Sequence, residues 1–425
     1  MRATTTSLLD ELAWRGLLHQ STEGAAAALG ASTVTGYCGF DPTAPSLHVG
    51  NLVPIMGLMH LQRAGHRPVA LVGGGTGMIG DPSGKSTERQ LQTPEMVEEN
   101  VRGIRAQLER FLEFSGPTAA RMADNAEWLL PLGAVAFMRD VGKHFSVNVM
   151  LAKESVKARM ETGISYTEFS YMLLQAYDFL ELFRRHGVTL QIGGSDQWGN
   201  MTAGTDLIRR VEGKEAHAVT LPLVTTAAGT KFGKSEAGAV WLDASRTSPY
   251  RFYQFWVNAD DRDVGRWLRF FTLKSREEVE ALEAQVAADP AARAAQRELA
   301  REVTARVHGD EAARTAEEVS SILFGRGADA AGLSGAALEA LRAEVPFADV
   351  AAGEAGIDVA EALVALALVK SKSEARRALD QGGVYVNGRQ LASDERTLAP
   401  GDALRGRYFL LRKGRRDYGL IAVKR

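Results

Sequence analysis

The first half of the chain alternates short apolar runs with longer segments of helical periodicity, and this alternation constrains the fold more than any other feature. Apolar or β-rich runs of strand length lie at 33–40, 68–72 and 189–192. Helical spacing is found at 48–64 and 200–212. Strands that alternate with helices are typical of a parallel sheet covered by helices. We therefore predict an α/β fold whose first domain, 1–247, has a Rossmann-like parallel sheet.

The second half of the chain changes character twice. From 248 to 324 the spacing is almost entirely helical, which predicts a separate helical domain. Residues 325–356 are rich in Gly and Ala and are predicted to form a linker. The last segment, 357–425, combines a helical pair, a hairpin with Asn-Gly at its turn (387–388) and a strand-like end. It is predicted to be a small α+β domain.

Composition excludes several classes of protein. The chain of 425 residues has one cysteine, Cys38, so it has neither an intrachain disulfide nor a thiolate zinc site. No apolar run approaches the ~18 residues that a membrane helix needs. The N-terminal segment carries Asp10 and Glu11 and is typical of an amphipathic helix, not a signal peptide. We expect a cytoplasmic protein with no membrane partner and no tightly bound metal.

Charge is distributed unevenly along the chain. The total is −2, but residues 357–425 hold 14 Lys/Arg against 8 Asp/Glu, a net +6, so the remainder carries −8. A basic terminal segment on an acidic body indicates contact with a polyanion. A merely solvated charged surface is the alternative that charge alone leaves open.

A glycine motif follows the predicted strand at 68–72. Gly75, Gly77 and Gly80 match GxGxxG, which is typical of a dinucleotide-binding loop. That motif requires an acidic residue about 20 positions later at the end of a second strand, where this chain has a helical pattern. The hypothesis of a dinucleotide-dependent oxidoreductase is therefore supported by this motif alone. The neighbouring Lys85 resembles the end of a P-loop, but Ile79 stands where its first glycine belongs.

Two other segments carry residues suited to a polyphosphate. His48 and Gly50 begin a predicted helix directly after a strand, and the N–H groups of a helix N-terminus favour an anion. Lys231 and Lys234, three residues apart in KFGKS, can neutralise charge as pyrophosphate departs. Each segment alone is equally compatible with an ordinary surface loop.

Together, HVGN and KFGKS are similar to the two signature motifs of class I aminoacyl-tRNA synthetases. The segments YCGFDPTAPSLHVGN, LVGGGTGMIGDPSGK, FSYMLLQAYDF and IGGSDQWGN resemble the bacterial tyrosyl-tRNA synthetases, and the likeness covers essentially the whole chain. The C-terminal segment resembles an RNA-binding module of a small-subunit ribosomal protein. The resemblance implies activation of L-tyrosine with ATP, accompanied by Mg²⁺, and transfer to tRNA(Tyr). It also implies a homodimer.

The resemblance gives roles to individual residues. Tyr37 and Asp178 are expected to hydrogen-bond the substrate phenol; phenylalanine would leave both groups unpaired, at roughly 1–3 kcal/mol each. Tyr171, Gln175 and Asp178 lie at i, i+4 and i+7, so one helix face can present all three. The residues expected to bind tyrosine are Tyr37, Asp81, Asn125, Tyr171, Gln175, Asp178, Gln191 and Gln197, with Asp81 near the ammonium and Gln197 near the carboxylate.

The same resemblance assigns the nucleotide site. The residues expected to act in catalysis are His48, Asn51, Lys85, Lys231, Lys234 and Ser235. Those expected to bind ATP are Gly39, Asp41, His48, Gly50, Asn51, Gly193, Asp196, Lys231 and Lys234. Asn51 stands where the class has a second histidine, and Pro54 lies inside the predicted helix, which must start late or bend.

Two further functions remain open from the sequence. A tryptophanyl-tRNA synthetase shares the class motifs, although Tyr37 with Asp178 suits a phenol better than an indole. A catalytically silent relative that only binds RNA is the other, and the retained lysines argue against it.

Overall fold

The computed structural model describes residues 7–81, 91–153, 156–157, 160, 163–230, 232–235, 238–325, 330–353 and 356–424. Contacts divide the chain into two compact units. The first comprises Met1–Thr247 and Asn258–Leu299, and the second comprises Ser248–Val257 and Ala300–Arg425. The predicted division into domains at 247, 324 and 356 stays a prediction.

Helices account for most of the regular structure. They are α1 (Leu8–Arg15), α2 (Ala25–Ala31), α3 (Leu52–Arg63), α4 (Pro94–Leu108), α5 (Ala126–Leu129), α6 (Ala134–Asp140), α7 (Val147–Leu151), α8 (Tyr166–His186), α9 (Trp198–Glu212), α10 (Pro249–Val257), α11 (Asp261–Phe271), α12 (Arg276–Ala288), α13 (Ala294–His308), α14 (Asp310–Phe324), α15 (Gly335–Glu344), α16 (Val359–Ala365) and α17 (Lys372–Asp380). Over the described residues, none of the helices combines the length and the apolar character needed to cross a membrane.

The strands belong to two main sheets and two short ladders. They are β1 (Gln20–Ser21), β2 (Thr35–Phe40), β3 (Arg67–Val72), β4 (Arg121–Asp124), β5 (Val188–Gly194), β6 (His217–Leu221), β7 (Lys234–Ser235), β8 (Gly238–Ala239), β9 (Phe347–Ala351), β10 (Ile357–Asp358), β11 (Val384–Val386), β12 (Arg389–Gln390), β13 (Thr397–Leu398), β14 (Tyr408–Lys413) and β15 (Asp417–Lys424).

The sheet of the first unit confirms the predicted α/β fold. Its order is β1-β6-β5-β2-β3-β4; β1 is antiparallel to β6 and the other neighbours are parallel. Residues 68–72 of β3 are all buried, as a strand covered on both faces requires. The chain runs from β2 to β3 on one side and later returns to β5 on the other. In such sheets, ligands bind at the carboxyl ends of the two strands where the order reverses.

The start of α3 resolves the position of Pro54. A single 3₁₀ turn, Val49–Asn51, precedes the α-helix, which begins at Leu52. Pro54 is therefore the third residue of the helix, in the first turn, where its missing N–H costs no intrahelical bond. The helix starts late rather than bending.

Helix α8 carries one face of the later site. The Ser165 side chain caps its N-terminus by accepting from the Glu168 N–H, and Gly187 ends it with a φ of 63°. A left-handed residue of this kind is the usual helix stop. Its apolar face packs into the core beneath the sheet through residues such as Met172 and Phe179.

The second unit ends in a small α+β module. Its sheet has the order β12-β11-β14-β15-β9, and α16 and α17 contribute to the same core. The predicted Asn-Gly hairpin is present: Asn387 and Gly388 have φ values of 52° and 88° and join antiparallel β11 and β12. The range predicted as a linker contains α15 and β9, and β9 pairs in parallel with β15.

Candidate active site

A cleft of about 190 Å³ lies at the carboxyl ends of β2 and β5, beside α8. All eight residues that the sequence predicts to bind tyrosine line it: Tyr37, Asp81, Asn125, Tyr171, Gln175, Asp178, Gln191 and Gln197. Gly39, Asp41 and Gly193, predicted for ATP, line it as well. The structure therefore brings together the whole predicted tyrosine set, at the point where the strand order predicts a ligand.

Asp178 lines this cleft and is 2% exposed. Asn125 Nδ2 donates to one oxygen at 2.8 Å, and Trp128 Nε1 donates to the other at 2.7 Å. Burial outweighs these two hydrogen bonds and raises the pKa of Asp178 to about 8. The two donors fix the orientation of the carboxyl group.

Tyr37 and Gln191 present polar atoms to the same cleft. They are register partners on neighbouring strands, and both side chains are buried. Among the described residues, neither the Tyr37 hydroxyl nor Gln191 Oε1 has a hydrogen-bond partner. Burial, followed by the charge of Asp178, raises the pKa of Tyr37 well above its usual value, so its hydroxyl stays protonated. Buried polar atoms are nearly always satisfied, so these two groups are suited to a polar ligand.

The opposite wall of the cleft is acidic. Tyr171 donates its hydroxyl to Asp41 Oδ2 at 2.8 Å, and burial, then Asp41 and Asp81, raise the pKa of that phenol. Gln197 Nε2 donates to Asp81 Oδ2 at 2.7 Å. Two carboxyl groups on this wall favour a cationic ligand group such as an ammonium.

The GxGxxG loop has a different role from a phosphate cradle. The N–H groups of Gly75 and Thr76 point to Asn125 Oδ1, at 2.7 and 3.4 Å. Gly74 N donates to Asp124 Oδ1 at 3.1 Å. Because these donors hold the side chains of Asp124, at the end of β4, and of Asn125, directly after it, they are not available to a dinucleotide. The loop orients Asn125, which in turn holds Asp178.

His48 caps the 3₁₀ turn that precedes α3. Its Nδ1 accepts from the Gly50 N–H at 3.0 Å, which leaves the ring proton on Nε2 in the neutral form. Asn51 Oδ1 accepts from the His48 N–H at 3.0 Å. The Gly50 N–H is thus occupied, contrary to the expectation of free backbone donors at this turn.

The KFGKS segment lies against this turn. A Cβ added to Gly233 would lie 2.9 Å from Val49 Cγ2 and 3.5 Å from Gly50 N. Val49 N donates to Val240 O at 2.9 Å, so the chain after the lysines runs beside the same turn. Segments separated by about 180 positions in the sequence are thereby neighbours, as a shared polyphosphate requires.

Some predicted residues are placed only in part. Lys85 and Lys231 lie outside the described residues, and of Lys234 and Ser235 the structure describes the backbone, which forms β7. Asp196 is exposed in the turn Ser195–Gln197 that follows β5, just beyond the cleft lining.

The sequence interpretation missed three polar residues of the site. Trp128 and Thr76 contact Asp178 and Asp41, respectively, and Asn200 Nδ2 donates to Gln175 Oε1 at 3.0 Å. Asn200 lies in the motif IGGSDQWGN, whereas nothing in the pattern around Trp128 distinguishes it from a core residue. Cys38 also lines the cleft, but burial raises the pKa of its thiol to about 12, so it is not a nucleophile. No group of His, Cys, Asp or Glu suited to a metal occurs in the described parts of the chain.

Comparison with known proteins gives one consistent answer. The family model for class I tRNA synthetases of the tryptophan and tyrosine type matches residues 31–325, and that for the C-terminal domain of tyrosine–tRNA ligases matches 337–421. The tyrosine–tRNA ligase of Anaeromyxobacter dehalogenans is 55% identical over 98% of this chain and its own full length. That of Roseiflexus castenholzii is 54% identical with the same coverage. The solved mitochondrial tyrosyl-tRNA synthetase of Aspergillus nidulans, C-terminally truncated, has a TM-score of 0.69 and 29% identity, over 75% of this chain and 94% of that one.

The raised pKa of Asp178 predicts a pH dependence of stability. The folded chain retains a proton that the unfolded chain releases between the ordinary pKa of 3.8 and about 8. The stabilisation of the folded state by this protonated carboxyl is therefore fully present below pH ~4. It is lost as pH rises toward 8, and the free energy of unfolding falls by up to about 1.4 kcal/mol per pH unit. We expect the free energy of urea unfolding to fall more steeply from pH 5 to 7.5 in the wild type than in Asp178→Asn. Parallel pH profiles would contradict the assignment.

Proposed function

The chain belongs to the class I tRNA synthetases of the tryptophan and tyrosine type, and within them to the tyrosine–tRNA ligases. We propose that the cleft between β2 and β5 binds tyrosine during its activation by ATP. A carboxylate oxygen of tyrosine attacks the α-phosphate of ATP, and the bond to the β-phosphate breaks to release pyrophosphate. A ribose hydroxyl at the 3′ end of the tRNA then attacks the acyl carbon, and AMP leaves.

The observation that carries this proposal is that Tyr37 and Asp178, both buried, line the same cleft. The phenol of the substrate offers one donor and one acceptor, which these two side chains complement. A phenylalanine would leave the buried Tyr37 hydroxyl unpaired, at roughly 1–3 kcal/mol. An indole lacks the acceptor, and the full-length relatives are tyrosine ligases, so tyrosine is favoured over tryptophan.

The acidic wall is suited to the other end of the substrate. Asp81, Tyr171 and Gln175 hold its ammonium in this proposal, and Gln197, already bound to Asp81, lies near its carboxylate. The orientation matters because proximity of the carboxylate to the α-phosphate replaces a bimolecular encounter. No protein nucleophile takes part.

Charge that develops on the phosphates is stabilised from two sides. His48 Nε2 and the amide of Asn51 donate from the turn before α3, and Lys231 and Lys234 supply positive charge from the segment packed against that turn. Asn51 keeps one type of donor but cannot become cationic. Mg²⁺ enters bound to ATP, as part of that substrate.

Lys234→Ala tests the role of the lysine segment. We expect tyrosine-dependent exchange between ATP and pyrophosphate to fall by about 100-fold or more, because one positive charge that stabilises the leaving pyrophosphate is removed. The dissociation constant of tyrosine should change less than about twofold, since the tyrosine cleft is left intact. Unchanged exchange in this variant would refute the role.

We propose that tRNA contacts the C-terminal module through a basic surface on two adjoining segments. Lys413 Nζ bonds to Leu368 O and to Glu374 at 2.8 Å, which joins the end of β14 to the start of α17. Around this junction, exposed basic side chains without an ion pair among the described residues are Lys370, Arg376, Arg377, Arg415 and Arg416. Such a cluster is suited to a phosphate backbone.

A variant with four neutral glutamines tests this surface without cutting the chain; removing 357–425 would also strip β9 of its partner β15. We expect kcat/KM for tRNA to fall about 10-fold or more and its salt dependence to become shallower, with pyrophosphate exchange unchanged. The positions changed to Gln are Arg376, Arg377, Arg415 and Arg416. Arg389→Gln is the control, because Arg389 is already paired with Glu395 at 2.8 Å. Loss of both activities together would indicate a folding defect and reject the proposed surface.

We propose that the enzyme is a homodimer that buries an apolar segment of the first unit. Most of the large, exposed apolar side chains fall between 130 and 166, where Val135 is 75% exposed and Val149 is 59% exposed. Surfaces of this kind mark protein contacts. We propose that a second copy of this chain covers the segment, because the family that the sequence resembles is dimeric.

Sedimentation of variants tests the dimer. Val135→Glu with Val149→Glu places two charges in the buried segment, and we expect the particle to sediment as a monomer at micromolar concentration. The matched control is Met96→Glu, an exposed apolar residue of the same unit outside this segment, which should leave the dimer intact. A double variant that still sediments as a dimer would refute this interface.

A further inference from the structure

Helix α11 holds the segment that leads to the two lysines. Asp263, 3% exposed, accepts from the Ala227 N–H at 2.8 Å through Oδ2. Arg266 donates to Asp263 Oδ1 at 3.0 Å and also to the carbonyl oxygen of Thr225. The buried carboxyl and the guanidinium thus form one connected network with the backbone of residues 225–227.

The same helix also receives Phe232, which lies between the two lysines in KFGKS. Its ring stacks on Phe271 with centroids 5.2 Å apart and an angle of 11° between planes, and it meets the edge of Trp267 at 5.0 Å. Residues 263, 267 and 271 are spaced by four, so they lie along one face of α11. That face therefore contacts the segment at its start and again beside the lysines.

Helix α11 is itself fixed within the first unit. The buried guanidinium of Arg15 donates to the carbonyl oxygens of Arg269, Thr272 and Lys274, at 2.9, 2.9 and 2.7 Å. Arg269 lies in the last turn of this helix and Thr272 follows it directly. Carbonyl oxygens at a helix C-terminus lack intrahelical donors, and a cation is most stabilising there. Glu11 holds the same guanidinium at 2.6 Å. The helix end cannot shift without breaking this set.

On its other side, the lysine segment is close to the turn that carries His48. Gly233 has a φ of 84° and lies against Val49 and Gly50. The residue directly after Phe232 therefore contacts the turn that we propose binds the phosphates. A displacement of the α11 anchor would therefore shift Phe232 and Gly233 relative to that turn.

We propose that Asp263 and Arg266 are positioning residues for the activation step: they set the place of the lysine segment and touch no substrate. The inference rests on the proposed function of the lysines. It predicts a loss in turnover without a loss in tyrosine binding, because misplacement of a charged group by about 1 Å can reduce a rate 100-fold.

Asp263→Asn tests this role. The amide has one oxygen, which can accept from Ala227 or from Arg266 but not from both, and its NH₂ then faces a donor. We expect kcat of pyrophosphate exchange to fall about 10- to 100-fold, with KM for tyrosine changed less than about twofold. Arg266→Ala, a change at a side chain that is 41% exposed, should give the same pattern if Asp263→Asn folds poorly.

The control is Asp261→Asn, the same change on the same helix. Asp261 accepts from Gln296 at 2.6 Å and pairs with Arg293 at 3.8 Å, and among the described residues it has no bond to the segment at 225–235. Its exchange activity should match that of the wild type. An equal loss in Asp261→Asn would show a general effect of helix α11 and would overturn the proposal.

A double-variant cycle separates positioning from a structural effect. If Asp263 acts through the lysine segment, Asp263→Asn should reduce kcat of pyrophosphate exchange by a clearly smaller factor in a Lys234→Ala background than in the wild type. Fully multiplicative losses, a rise in KM for tyrosine that matches the loss of kcat, or normal exchange in both anchor variants would overturn the proposal. Unchanged exchange in Lys234→Ala alone would instead reject the proposed function of the lysines, so the two failures are distinguishable.

Discussion

The buried carboxyl of Asp178 is the constraint on which the substrate cleft depends. A carboxyl group with 2% exposure is costly unless it has hydrogen-bond partners. Asn125 and Trp128 provide them from beyond β4, and Asn125 is held in turn by the N–H groups of the glycine loop after β3. A chain of contacts thus fixes the group that we propose binds the substrate phenol.

The strand order explains why these groups meet where they do. β2 has β3 on one side and β5 on the other, so the loops that leave β2 and β5 diverge and open a crevice at their carboxyl ends. Tyr37 and Gln191 are register partners on these strands, and both line this crevice. Helix α8 lines the same crevice with Tyr171, Gln175 and Asp178, while Met172 and Phe179 pack into the core. Binding residues from distant parts of the sequence are therefore held on rigid elements.

The activation step that we propose also needs charge beside the phosphates, and a different set of contacts supports that part of the site. The turn before α3 presents His48 in a fixed tautomer, since its Nδ1 already accepts from Gly50. The lysine segment is held by backbone contacts to that turn and by the side chains of α11. The tyrosine cleft is preorganised by buried hydrogen bonds, whereas the phosphate side depends on how a surface segment is attached to a helix.

The sequence by itself determined the α/β class and the Asn-Gly hairpin, because periodicity and turn residues are local properties. Its resemblance to a known family named eight residues that all line the cleft. It left open how α3 begins, and it gave the glycine loop no role beyond a weak dinucleotide match. Only the tertiary structure decided that Gly75 N–H orients Asn125, that Trp128 holds Asp178, and that Asp263 and Arg266 bind the backbone of residues 225–227, ahead of the lysines. These contacts join residues tens of positions apart, and their existence depends on burial and on the packing of strands and helices, which no local pattern records.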